Sequence, residues 1–314
     1  MDYTFAASVK DGLQETPKRL SSKYFYDEAG SKIFQKIMKM PEYYLTDSEF
    51  EILETNANRF FDVFASEGPF DLVELGSGDA FKTKILLKHL LKQDVKFTYV
   101  PIDISEKAMI ELEKTLHEEL TSLNFNPIVD DYFYALDKLS QNSNDRKVVL
   151  FLGSNIGNFE NAGAAHFLKL ISEKLRPDDL LLVGFDLKKD PQIILNAYSD
   201  PHGITSSFNF NLLDRINKEF DGDFDKDKFK HHVSYNPVTG QTESYLVALK
   251  THMVEIKRLK LKLKIQYAEP ICMELSQKFD TEMINNLAEN SEFAVQKNFF
   301  DSKGYFCDSL WKKV

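Results

Sequence analysis

An apolar run, Phe70 to Leu75, ends in the turn Gly76-Ser-Gly78, and a helical pattern, Lys82–Leu91, begins just beyond it. Strand, tight glycine turn and helix in that order is how an open α/β sheet holds a nucleotide-like ligand at a strand's carboxyl end. Glycine suits the turn because a Cβ there would collide with a ligand approaching the backbone. The rhythm continues along the chain. Lys96–Ile104, Asn126–Val129, Lys147–Leu152 and Leu180–Phe185 are apolar, often β-branched runs bounded by Gly, Asp, Asn or Ser, and read as strands. Glu106–Leu120, Phe133–Leu139 and Ala162–Leu175 between them read as helices. Such alternation predicts a parallel sheet covered by helices on both faces.

The flanking segments break the rhythm. Lys32–Met40 and Asp47–Asn58 read as helices separated by Pro41-Glu-Tyr-Tyr44. Beyond Asp190, Pro191–Tyr198 and Asn211–Phe220 read as helices, and Val247–Lys250 and Thr251–Ile265 as strands. In the last of these Leu259, Leu261, Leu263 and Ile265 alternate with Lys260, Lys262 and Lys264, which predicts a half-buried antiparallel strand with a solvated lysine face. At the end of the chain Phe293–Phe299, the turn Asp301-Ser-Lys-Gly304 and Tyr305–Trp311 form a hairpin pattern. The expectation is an α/β domain over residues 51–188, completed by 282–314, with 1–50 and 189–281 forming a second, discontinuous domain.

Composition narrows the function. A net charge of −10 and a pI near 5.3 argue against a nucleic-acid partner, which would select a basic face. Two cysteines, Cys272 and Cys307, make no disulfide framework and read as reduced thiols. The first eighteen residues lack a signal-peptide core, and no run of about eighteen apolar residues occurs, so a cytoplasmic protein without a membrane partner is expected; a monomer is expected as well. The acidic stretch Asp221–Asp227 places glycine wrongly for a calcium loop and has His232 where the twelfth-position Glu belongs. His231-His232 is no metal motif either, so no catalytic metal is expected. Neither a G-x-S-x-G elbow nor a GxxxxGK[ST] phosphate loop is present.

The glycine turn has Phe81 where a dinucleotide fingerprint has its third glycine, which favours S-adenosylmethionine, a ligand without a pyrophosphate, over NAD. Asp103 ends the second strand, where a carboxylate can accept both ribose hydroxyls or cap the following helix. Asp130 and Asp131 follow the third strand and can accept from an adenine amino group or face solvent. Asn158, in Gly153-Ser-Asn-Ile-Gly-Asn-Phe159 after the fourth strand, offers an amide donor and acceptor where the reacting group would sit, or serves the turn.

These residues together carry a family resemblance. Lys23-Tyr-Phe-Tyr-Asp27, Pro41-Glu-Tyr-Tyr44, Val73-Glu-Leu-Gly-Ser-Gly78, Pro101-Ile-Asp-Ile-Ser-Glu106, Gly153–Phe159 and Glu274-Leu-Ser-Gln-Lys-Phe279 resemble the L-histidine Nα-methyltransferases of ergothioneine biosynthesis along nearly the whole chain. The glycine turn is common to many methyltransferases; the Tyr-Tyr, Ile-Gly-Asn and Glu-x-Ser-x-Lys-Phe elements are far more specific. The resemblance implies a Rossmann-like class I methyltransferase domain with a discontinuous α+β substrate domain. It also implies that Gly76, Lys82, Asp103 and Asp131 hold S-adenosylmethionine, with Lys82 at its carboxylate. Histidine would be held by Tyr26, Tyr43, Asn158, Tyr198, Glu274 and Ser276: Asn158 and Tyr198 at the α-carboxylate, Tyr26 and Asn158 near the α-amine, and Tyr43, Glu274 and Ser276 at the imidazole. Tyr26 and Asn158 are thus the catalytic candidates. The chain departs from the family pattern at Leu45 (often proline), Asn155 (commonly threonine) and Ser244 (a methionine is expected). Another aromatic amino acid as acceptor, or a non-catalytic S-adenosylmethionine-binding protein, remain the alternatives.

Overall fold

The computed structural model describes residues 3–93 and 95–314, which divide into two compact units, Leu45–Leu187 with Phe279–Val314 and Met1–Tyr44 with Lys188–Lys278. The first unit is built on a seven-stranded sheet. Its strands are β1 (Phe70–Leu75), β2 (Phe97–Asp103), β3 (Ile128–Val129), β4 (Arg146–Phe151), β5 (Leu180–Asp186), β6 (Phe293–Phe300) and β7 (Phe306–Lys313). They lie in the order 6-7-5-4-1-2-3. β1 to β5 are parallel to their neighbours, and β7 runs antiparallel between β5 and β6. Every residue of β1 and of β5 is buried, which is why both read as predominantly apolar runs. Chain order reverses between β1 and β4, so their carboxyl ends form the topological switch point of a doubly wound sheet.

Helices Thr83–Lys92, Glu106–Glu119, Tyr132–Asn142 and Asn161–Ser172 alternate with these strands. Ser105 caps the second, accepting from Ala108 N at 3.2 Å. Residues 44–64 hold two helices, Tyr44–Thr55 and Ala57–Phe64, where one was expected. Helix Tyr44–Thr55 starts at the division between the units, so the first unit begins before residue 51. Helix Thr281–Asn290, absent from the sequence reading, leads into β6 and is capped by Asp280, which accepts from Met283 N at 2.9 Å.

The second unit packs helices Tyr3–Gln14, Glu28–Ile37, Pro191–Tyr198 and Ile204–Phe220 with a four-stranded sheet of Lys18–Arg19, Pro270–Gln277, Gln241–Ala248 and Phe229–Asn236. Phe5, Phe25, Phe208, Phe220, Leu246 and Ile271 lie in its core. Thr251–Ile265 is a hairpin, His252–Ile256 with Leu261–Ile265, and not the single strand expected. Leu261, Leu263 and Ile265 are buried and Lys262 and Lys264 exposed, as the alternation required. The expected strand over Val247–Lys250 is the end of the longer Gln241–Ala248. No helix among the described residues is long and apolar enough to cross a membrane.

Candidate active site

In the first unit the glycine turn sits at the carboxyl end of β1. Gly76 has φ +74°, which strains any other residue, and a Cβ on it would lie 2.8 Å from the Tyr132 hydroxyl and press that side chain aside. Gly78 has φ +54° with open space beside it. Below the turn Glu74 is buried and accepts hydrogen bonds from Thr83 Oγ1, at 2.5 Å, and from Tyr99 Oη, joining β1 to the following helix and to β2. Burial pushes its carboxyl up to about 7, against the pull of Thr83 and Tyr99.

Asp103, the last residue of β2, accepts from Ser105 N at 2.9 Å. Burial raises its pKa, while the N–H groups of Ser105, Ile104 and Gly78 oppose the rise. The Gly78 contribution brings together two features that are 25 residues apart in sequence. Tyr132, in the helix after β3, has its hydroxyl pushed up to about 12 by burial and by Asp103, Asp131 and Glu74. Asp131 is exposed and caps that helix, accepting from Phe133 N at 2.9 Å. Asn158 ends the short 3-10 turn Asn155–Asn158 after β4 and is exposed.

Lys82 forms an ion pair with Glu49, whose side chain is fully buried while that of Lys82 keeps 21% of its surface open. Glu49 Oε1 accepts from Gly153 N at 2.7 Å, so one carboxylate ties the β4 turn to the start of the helix after β1. A Cβ on Gly184 would come within 2.3 Å of Glu49 Oε1, so only glycine leaves room for that carboxylate. Asp308 of β7 is fully buried beside them; burial and the charge of Glu49 raise its pKa well above the carboxylate range, and Lys82 opposes them. An ammonium has three donors, so the ion pair leaves Lys82 able to meet a second carboxylate. A cradle open at glycine, a half-buried Asp103 carboxylate and a partly open cation suit a ligand with a ribose and an amino-acid tail.

In the second unit Glu274 and Ser276 lie two apart on strand Pro270–Gln277, opposite Ser244 and Thr242 of the neighbouring strand. The period of two puts both on one face. Burial pushes the Glu274 carboxyl up to about 7, with Lys278 opposing. Tyr198 ends helix Pro191–Tyr198, and its hydroxyl lies 2.8 Å from Ser276 Oγ. Lys278, which the sequence reading placed in the Glu-x-Ser-x-Lys-Phe element without a role, is fully buried and donates to both of those oxygens at 2.7 Å. Tyr26 has a ring 48% exposed that meets Phe34 and Phe208 edge-on. Its hydroxyl pKa is raised by burial, by Glu274 and by Tyr198. Tyr43 packs edge-on against the same Phe34, 6.3 Å between centroids. Tyr26, Tyr198, Glu274 and Ser276 therefore belong to one neighbourhood, with Tyr43 joined to Tyr26 through Phe34.

Glu49, Tyr132, Lys278 and Asp308 went unassigned in the sequence reading. The available signal was a charge inside an apolar strand for Asp308, and for Lys278 the Glu-x-Ser-x-Lys spacing itself. No group of three His, Cys, Asp or Glu side chains among the described residues is arranged to hold a metal.

A doubly wound sheet with an antiparallel seventh strand, a glycine cradle at its switch point and an acidic residue closing the second strand define a class I S-adenosylmethionine-dependent methyltransferase. The chain belongs to the family of histidine-specific, S-adenosylmethionine-dependent methyltransferases, whose model matches residues 5–313. It is 34% identical to the histidine N-alpha-methyltransferase of Mycolicibacterium smegmatis over 304 residues, covering 96% of this chain and 92% of that protein. It is 36% identical to the protein of the same name from Mycobacterium tuberculosis over 271 residues, 86% of this chain and 83% of that one. Ergothioneine biosynthesis protein 1 of Schizosaccharomyces pombe is 28% identical over 316 residues, matching 92% of this chain and 40% of its own length.

Proposed function

We propose that this methyltransferase acts on the α-amine of L-histidine, adding three methyl groups in succession to give trimethylhistidine (hercynine) for ergothioneine biosynthesis. The observation that carries the reading of the acceptor is the cluster of Glu274, Ser276 and Tyr198, a carboxyl and two hydroxyls on buried backbone. The names of the relatives support the Nα position and the pathway. On this reading Gly76, Lys82, Asp103 and Asp131 hold the methyl donor. Asn158 and Tyr198 take the substrate carboxylate, and Tyr43, Glu274 and Ser276 read the imidazole. Two free cysteines agree with residence in the reducing cytoplasm.

S-adenosylmethionine supplies a sulfonium-bound methyl group, an electrophile that calls for no covalent enzyme intermediate. The protein's part is positioning, where proximity and orientation contribute about 7–11 kcal/mol. A phenol is neutral near neutral pH, so Tyr26 orients the amine by hydrogen bonding. Buried polar readers also discriminate strongly, because an acceptor lacking the imidazole leaves them unpaired.

The test is one incubation of protein, S-adenosylmethionine and a panel of amino acids, with the products weighed and fragmented. Histidine carrying three methyl groups on its α-nitrogen is expected. Methylation of the ring, arrest at one methyl group, or preference for another aromatic amino acid would each overturn a part of the reading.

A further inference from the structure

Lys278 is a fully buried cation in the second unit, with no role in the reading above. A buried ammonium is tolerated only where hydrogen bonds replace its water. Here Nζ donates to Tyr198 Oη and to Ser276 Oγ, at 2.7 Å each, and those two oxygens are 2.8 Å apart. The backbone holds the residue in place: Lys278 N donates to Gly240 O at 2.7 Å, and a Cβ on Gly240 would come within 2.3 Å of the Lys278 carbonyl oxygen.

Donor counting then fixes the polarity of the cluster. An ammonium only donates, so each hydroxyl turns a lone pair toward Lys278 and its own hydrogen away from it. One hydroxyl donates to the other, and the relay is aimed outward from the buried charge. Hydrogen bonds polarised by a charge in this way are stronger than neutral ones. Lys278 also counters the effect of burial on Glu274, so its field reaches both ends of the cluster.

We propose that Lys278 is a positioning residue for the amino-acid substrate. It orients the Tyr198 and Ser276 hydroxyls and places a buried positive charge behind Tyr198, the hydroxyl assigned above to the substrate's α-carboxylate. This rests on the assignment of Tyr198 and Ser276 to the substrate made above.

The experiment compares histidine with histidinamide, which lacks the carboxylate, in the wild-type protein, Lys278→Met and Lys278→Arg. KM, kcat and the dissociation constant for S-adenosylmethionine are measured for each. In Lys278→Met, KM for histidine should rise at least about tenfold, the effect of losing one charge-assisted contact. The preference for histidine over histidinamide should fall toward unity, with affinity for S-adenosylmethionine within about twofold of wild type. Lys278→Arg keeps the charge and should keep the preference. Should Lys278→Met not fold, Lys278→Gln, a donor without charge, carries the same comparison. An unchanged preference in the neutral variants overturns the proposal, as does loss of S-adenosylmethionine affinity in parallel with histidine. Wild-type protein that turns over no histidine overturns the assignment beneath it instead.

Discussion

Glu274 owes its chemistry to where the fold puts it. A carboxyl pushed up to about 7, near Lys278 and Tyr26, changes charge within the range where an imidazole does the same. On the proposed reading, Glu274 above that range is a carboxylate that accepts an imidazole N–H. Below it the carboxyl is neutral and no longer offers a charged acceptor to the ring, so KM for histidine should climb as pH falls from about 8 to about 6. In Glu274→Gln the protein's share of that climb disappears and only the titration of the substrate imidazole remains. Steady-state kinetics across this range checks it; an unaltered profile in the variant would mean Glu274 does not face the imidazole. The same shift has a consequence for stability. A folded-state pKa raised above the unfolded value contributes stability that is complete below the unfolded pKa and is lost as pH rises through the folded one. Glu274→Gln should therefore melt higher than wild type at pH 8, with the gap closing toward pH 5 in ligand-free thermal scans.

Among the elements, the parallel strands β1, β4 and β5 were legible because burial on both faces leaves a plain apolar run. The hairpin His252–Ile256 with Leu261–Ile265 was hidden because its turn holds no Gly, Pro, Asn or Asp. Lys260 itself adopts φ +51°, and the leucine–lysine alternation runs through the turn without a break. Gly76 and Asp103 were legible as candidates for the donor site because they follow or close strands, where the sheet architecture offers them a task. Glu49 and Asp308 were not, because their meaning lies in contacts such as the bond from Gly153 N, 104 positions from Glu49. Helix Thr281–Asn290 has a local signature that can be tested alone. Asp280→Ala removes the cap on Met283 N and should cost about 1 kcal/mol or more, lowering Tm by a few degrees. KM for both substrates should be unchanged, since the helix it caps carries none of the residues assigned to them.

Chain order also bears on how the whole protein is completed. The first unit runs from Leu45 to Leu187 and resumes only at Phe279, so its sheet waits for the last residues of the chain. β7 pairs with β5 along its whole length, from Asp186–Phe306 to Leu180–Lys312, and places Trp311 within 5.7 Å of both Phe185 and Phe293. Removing residues 291–314 would strip β5, buried at every position, of its antiparallel partner. It would leave a row of unpaired N–H and C=O groups beside an apolar face, which is a template for aggregation. It would also delete Asp308, the neighbour of Glu49 and Lys82. None of Gly76, Lys82, Asp103 and Asp131 is lost, yet the truncated chain should be insoluble or bind no S-adenosylmethionine. Trp311→Ala grades the same effect: a buried aromatic cut to alanine costs about 3–5 kcal/mol, enough to lower Tm sharply while leaving a soluble fraction. Soluble yield and calorimetric titration of S-adenosylmethionine distinguish the outcomes. A soluble truncated chain with wild-type affinity would show that β1 to β4 and their helices hold the donor site without the C-terminal strands.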